Sequence, residues 1–328
     1  MKLRKTLTST IIASALALTS GLANADQIRM GVVVKIGGIP WFTAMEQGIK
    51  QEAEKHNMDA WMIGPTSADP ALQVRAIEDL IAQKVDVIGV VPNDPTVLEP
   101  VLKKAKDQGI KIIVHESPGQ NHADWNFELA DAKVYGEAYA KSLAQCMDGE
   151  GKYAIYVGGL TVPLHMAWSK ATVDYLEKNH PEMEMVADVF GVAESVDDSM
   201  RTTTDLFSKH SDLKGIIGFG SQGPIGAARV VQRQNRADDT CVYGPFSASQ
   251  GQRLVQSDNL KGGWIWNPMT AGEVFVRVAD MTVNGESFEE GMTIDGLGPV
   301  KISGNNLYGD KLEPLDKENL PRLVKLGL

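Results

Sequence analysis

The chain has 328 residues, of which 43% are hydrophobic and 23% charged, the balance of an ordinary globular protein. Its length favours two lobes over a single core. A formal net charge of -10 repels nucleic acid and anionic lipid and argues against both as partners.

The first 25 residues have the build of a secretory signal peptide. Met1-Lys2-Leu3-Arg4-Lys5 is a short basic start, residues 11–18 form a small apolar run, and Ala23-Asn24-Ala25 is a small-x-small cleavage site. The apolar run is too short to span a bilayer, and no later stretch reaches that length. No Cys directly follows the cleavage site, so no lipid anchor is expected. The mature chain is expected to begin near Asp26 and to be soluble outside the inner membrane. Two cysteines, Cys146 and Cys241, are present. In an oxidising compartment they either form a disulfide or serve as two small buried hydrophobes, and sequence does not supply the Cα separation that would decide.

From residue 27 the pattern alternates strand and helix. Strands are predicted over 27–35, 58–63, 85–91 and 110–115, with helices over 41–56, 70–83 and 95–108 between them. The continuous β-branched run at 85–91 reads as a strand covered on both faces. Gly109 ends the third helix as a natural C-cap. After a polar stretch and a helix near 134–146 the plan restarts. Strands are predicted over 152–157, 183–190, 215–219, 241–246 and 262–266. Helices are predicted over 166–179, 199–210, 224–235 and 250–256, then 271–283 before an irregular tail. Strands spaced by helices imply parallel βαβ units with right-handed crossovers, hence two doubly wound α/β lobes of similar plan. In open parallel sheets ligands bind beyond the carboxyl ends of the strands, so the strand-end loops carry the functional reading.

The first such loop is Lys35-Ile36-Gly37-Gly38-Ile39-Pro40-Trp41-Phe42. Its glycines allow close backbone approach. Of the adjacent aromatics Trp41 and Phe42, helix geometry sends one to the core and one to the cleft. The third strand ends Pro92-Asn93-Asp94-Pro95. Asn93 and Asp94 offer the planar groups that hold vicinal hydroxyls, and Asp94 is also a good N-cap. The fourth ends His115-Glu116-Ser117-Pro118, where Glu116 could accept from two hydroxyls. In the second lobe the loop from Gly158 leads to His165 and Trp168. Another runs Gly218-Phe219-Gly220-Ser221-Gln222-Gly223. The last strand ends Trp264-Ile265-Trp266-Asn267-Pro268, with Trp266 the better cleft residue and Trp264 more at home in the core.

Several tempting motifs fail. The G-x-G-x-x-G at Gly218–Gly223 follows the third strand of its lobe, and the next strand lacks the expected acid, so nicotinamide binding is not expected. There is no phosphate loop and no pair of histidines at ligand spacing. Ser221 lacks a nucleophile elbow, because Phe219 stands where the first glycine belongs. Asp197-Asp198 and Glu289-Glu290 look like exposed acidic turns. No cofactor, no metal and no catalytic constellation is expected.

The chain resembles the periplasmic sugar-binding proteins of ABC importers, of the ribose-binding type, over essentially the whole mature sequence. Within them it is most similar to the autoinducer-2- and rhamnose-binding branch. The resemblance rests on Lys35 through Phe42, Gly64-Pro65-Thr66, Gln73 to Ile81, Val91 through Pro95, His115-Glu116-Ser117 and Trp266-Asn267-Pro268. It implies a three-segment hinge near 116–118, 267–268 and 296–299. The lobes would then be 26–117 plus 268–297, and 118–267 plus 298–328. It also implies ligand binding between the lobes, closure on the ligand, and docking on an inner-membrane permease. Autoinducer-2 binders carry an Asp-Gln pair where this chain has Leu164 and His165, and Pro and Ala where it has Phe219 and Ser221. A neutral monosaccharide or sugar alcohol is therefore expected, bound by a monomer.

The expected ligand-binding set is Lys35, Trp41, Phe42, Asn93, Asp94, Glu116, His165, Trp168, Ser221, Gln222, Trp266 and Asn267. The alternative function is a receptor for a sugar-like signal such as autoinducer-2, docking on a sensor or chemoreceptor. An enzyme lacks an acid/base pair, and a sugar-responsive repressor is disfavoured by the signal peptide and the missing helix-turn-helix.

Overall fold

The computed structural model describes residues 27–328, and the expected signal peptide lies outside the described residues. The first lobe opens with β1 (Arg29–Val33), α1 (Pro40–Lys55), β2 (Asp59–Ile63), α2 (Pro70–Ala82), β3 (Val87–Val90), α3 (Pro95–Asp107), β4 (Lys111–His115) and β5 (Trp125–Glu128). Each of its three helices begins with proline, which suits a first turn whose N–H groups have no helical partner. The chain then crosses to α4 (Ala132–Cys146), β6 (Gly151–Val157), α5 (Pro163–Asn179), β7 (Met183–Met185), β8 (Phe190–Gly191), α6 (Val196–Lys209), β9 (Leu213–Phe219), α7 (Gly223–Arg233), β10 (Cys241–Tyr243), α8 (Ala248–Gln256) and β11 (Gly263–Ile265). It ends with α9 (Pro268–Val283), β12 (Thr293–Ile294), β13 (Gly298–Pro299), β14 (Lys301–Ser303), β15 (Asn306–Tyr308), β16 (Glu313–Leu315) and α10 (Leu320–Lys325).

The first sheet has the order β14-β15-β5-β4-β3-β1-β2 and is parallel apart from β14. β3 is buried along its whole length, as its apolar sequence requires. The second sheet runs β10-β9-β6-β7 with β8 also on β6. The pair β11-β16 extends it through a bridge from Tyr243 to Gly262. α9 returns to the first lobe and packs directly on α1. A Cβ at Gly48 would fall 1.9 Å from Met269 O, and one at Gly272 would fall 2.1 Å from Met45 O, so glycine is required at both crossings.

Three expectations need correction. The region after Ser117 loses helical pattern because it is a loop within the first lobe, not the way out of it. β5 pairs in register with β4, and β15 pairs with β5. The crossings therefore fall near residues 129–131, 266–267 and 309–312, later than the expected 116–118 and 296–299. Two of these segments bond to each other, with Gly309 N donating to Glu128 O and Lys311 N to Leu129 O, both at 2.8 Å. The single strand expected over 183–190 is two short ones. β7 follows the first half of β6 and β8 the second, and the residues between leave the ladder. The tail is less irregular than expected, since it supplies β12 to β16 and α10.

Cys146 ends α4 and Cys241 begins β10, with Cα atoms 6.1 Å apart and the sulfurs bonded. Both halves of the bridge lie in the second lobe.

Candidate functional site

The carboxyl ends of both sheets face one another across a cavity. The first lobe contributes Lys35 after β1, Trp41 and Phe42 from the first turn of α1, and Glu116 after β4. The second contributes His165 and Trp168 from α5, Glu194 between β8 and α6, Phe219 at the end of β9 with Gly220 and Ser221 after it, and Pro245. Trp266 lines it at the second crossing.

A charged cluster occupies the centre. Lys35 Nζ donates to Glu116 Oε2 at 2.7 Å and lies 3.1 Å from Glu194 Oε1. His165 Nε2 is 3.0 Å from Lys35 Nζ and 3.6 Å from Glu116 Oε2. Burial alone would push the Lys35 ammonium towards neutrality, but Glu116 and then Glu194 outweigh it and its pKa is raised. Glu116 is likewise penalised by burial, yet the charge of Lys35, and then the nearby His165, hold its pKa below the usual carboxylate range. Burial, then the charge of Lys35, lowers the pKa of His165, which is therefore a neutral imidazole at pH 7. Glu116 has φ +63°, a left-handed conformation unusual for a non-glycine residue. Such a conformation persists only where surrounding structure holds it, and it aims this carboxylate at Lys35.

The Lys35 loop is fixed from behind by a residue whose role was not legible in the sequence. Gln73, fully buried on α2, donates to Val34 O at 3.2 Å and Val91 O at 2.8 Å, and accepts from Asn93 N at 2.8 Å. Asn93 Nδ2 in turn donates to Lys35 O at 2.9 Å. This ties the ends of β1 and β3 together.

The aromatic residues form one wall. Trp41 meets Trp266 edge-on with centroids 5.7 Å apart, and Trp168 lies 5.2 Å from Trp266 and stacks on His165 at 5.0 Å. The indole Nε1 atoms of Trp168 and Trp266 are buried and make no hydrogen bond. Both Trp41 and Phe42 line the cavity, contrary to the expectation of one core and one cleft residue. They sit in the first turn of α1, whose end projects into the cleft, so two adjacent directions both face it.

Of the twelve residues expected at the site, eight line this cavity and four do not. Asp94 caps α3, accepting from Thr96 N and Val97 N. Asn267 caps α9, accepting from Met269 N and Thr270 N, and lines a separate hollow behind the hinge. The side chain of Asn93 is bound to Lys35 O, while its carbonyl accepts from Thr161 Oγ1 of the other lobe at 2.9 Å. Gln222 pairs with Ser221 and Gln250. Glu194 was missed because the strand before it was read as ending at Phe190. It also precedes Ser195, the N-cap of α6, in a stretch whose acids resemble an exposed turn. The only sequence signal was a carboxylate between a strand and a good N-cap.

Comparison with known proteins gives the same architecture. The family profile described as periplasmic binding protein domain matches residues 30–287. The D-xylose-binding periplasmic protein of Escherichia coli (strain K12) is 26% identical over 326 residues, covering 94% of this chain and 96% of that one. The structure of an ABC transporter solute binding protein from Clostridium phytofermentas with bound L-rhamnose superposes with a TM-score of 0.85 at 20% identity, over 92% of this chain and 99% of that one. LsrB from Clostridium saccharobutylicum in complex with AI-2 gives 0.84 at 17%, over 90% and 99%. The fold is thus the two-lobed type I periplasmic binding protein fold, and such proteins bind solutes without transforming them. The chain belongs to the periplasmic binding protein family.

Proposed function

We propose that this protein is the periplasmic solute-binding component of an ABC importer, and that it binds a neutral monosaccharide or sugar alcohol between its lobes and delivers it to a permease. The observation that carries the reading is the mixed character of the central cluster. Lys35 and His165 supply N–H groups, while Glu116 and Glu194 supply acceptor oxygens within hydrogen-bond range of Lys35. A hydroxyl both donates and accepts, so vicinal hydroxyls match such a cluster where an apolar or purely anionic group would not. The adjoining wall of Trp41, Trp168 and Trp266 suits the C–H face of a sugar ring. The relatives named for xylose and seen with rhamnose support the ligand class.

Because residues of both lobes line the one cavity, a ligand there touches both walls only when the lobes are closed, and it draws the hinge equilibrium to the closed state. The expected signal peptide and a periplasmic location belong to the same reading. A thermal-shift screen over pentoses, hexoses, deoxysugars and polyols tests it. A ligand at 100 times its dissociation constant should add about 2.7 kcal/mol of stability. The absence of a shift with every carbohydrate would overturn the proposal.

A further inference from the structure

The Lys35 ammonium has three N–H donors. Two have acceptors, Glu116 Oε2 at 2.7 Å and Glu194 Oε1 at 3.1 Å. The third close neighbour, His165 Nε2 at 3.0 Å, is not an acceptor. The backbone N–H of Gly158 donates to His165 Nδ1 at 3.0 Å, so a neutral ring carries its proton on Nε2. Two donors therefore meet at 3.0 Å beside the cavity, and an oxygen that accepts from both relieves the conflict.

Glu194 decides what that oxygen can belong to. It comes from the lobe opposite Lys35, and the backbone is shaped to admit it. A Cβ on residue 158 would lie 2.6 Å from Glu194 Oε1 and 2.9 Å from His165 Cε1, so only glycine leaves room for both side chains. With Glu194 present, one ammonium and a neutral imidazole face two carboxylates. A hydroxyl can accept from Lys35 or His165 and donate to a carboxylate oxygen. A ligand carboxylate or phosphate has no proton to donate, and it would meet Glu116 and Glu194 as like charges.

We propose that Glu194 is the specificity-determining residue of the cleft: by balancing Lys35 it admits neutral polyhydroxylated ligands and turns away sugar acids and sugar phosphates. This rests on the carbohydrate reading above. The experiment is calorimetric titration of the wild type, Glu194→Gln and Glu194→Asp with neutral sugars and polyols and with their corresponding sugar acids. The wild type should bind a neutral ligand about a hundredfold more tightly than its acid, or better. Glu194→Gln keeps the shape but removes one charge. Its ratio should fall by about tenfold or more, the neutral ligand weakening and the acid gaining. Glu194→Asp keeps the charge and should continue to reject the acid. A wild type that binds neutral sugars, with a ratio unmoved in Glu194→Gln, overturns this proposal alone. A wild type that binds neither member of any pair overturns the carbohydrate reading and this proposal together.

Discussion

The two lobes share one plan but use the polar residues at their strand ends differently. In the first, Asp69 and Asp94 cap α2 and α3, and Gln73 and Asn93 hold backbone groups of the Lys35 loop. In the second, α5, α7 and α8 have no side-chain N-cap. There His165, Glu194 and Ser221 are left facing the cavity, and Ser195 takes the capping role beside Glu194. α1, the first-lobe helix that begins in the cavity with Trp41 and Phe42, is also uncapped. The lesson is that a polar residue at a strand end faces the cavity only when the following helix has not recruited it as its cap. Capping satisfies a helix's own orphan N–H groups and leaves the side chain's acceptor occupied.

The largest expected effect bears on the first-lobe framework. Gln73→Leu would strand Val34 O, Val91 O and Asn93 N–H in a buried site. At about 1–3 kcal/mol for each buried group left unpaired, urea unfolding should show the largest loss of this series. A loss no greater than a surface substitution gives would mean that the Lys35 loop is held some other way.

Next comes the second lobe, which alone contains the disulfide. Replacing Cys146 and Cys241 together by serine should cost about 2–5 kcal/mol in chemical denaturation. Native-state hydrogen exchange should show the protection lost around β9 and β10 before β1 and β3. Equal loss in both lobes would break the contrast.

Asp94→Ala and Asn267→Ala separate capping from ligand binding. Each should lower stability by about 1 kcal/mol while leaving affinity for the best sugar unchanged. A marked loss of affinity in either variant would return that residue to the ligand-binding set.

The smallest effect concerns Glu128, buried at the end of β5 behind the site. Burial pushes its pKa well above the usual value of 4.5, so the folded protein favours its neutral form. The unfolded chain ionises this group above pH 4.5, so its contribution to stability is present below that pH and is lost as pH rises towards the folded pKa. Glu128→Gln should therefore raise the melting temperature at pH 7, with the gain shrinking to nothing as pH falls below 4.5. His165 has the opposite sign. Its folded pKa is depressed below 6.5, so its contribution is complete above that pH and is lost as pH falls. A gain from Glu128→Gln that did not depend on pH would remove ionisation as its cause.

Much of the fold was legible because its signals are local. Pro70 and Pro95 start helices, Asp94 caps one, and the apolar run around Val87–Val90 reads as a strand covered on both faces. The site was legible in part. Lys35, Glu116, His165 and Trp266 stand where strands end, and a parallel α/β sheet makes those ends important. Asp94 and Asn267 were misjudged because a good cap and a good ligand are the same residue types. Glu194 was overlooked because its strand is short and broken.

The amino-acid sequence by itself determined the order of βα units and the loops that could form a site, because periodicity, caps and turn residues act within a few positions of one another. Only the tertiary structure decided that β5 and β15 belong to the first sheet, that Cys146 lies beside Cys241, and that Lys35 meets Glu116, His165 and Glu194. Those are pairings between residues 81 to 130 positions apart and beyond. They depend on strand register and on how one lobe closes over the other, which no local pattern encodes.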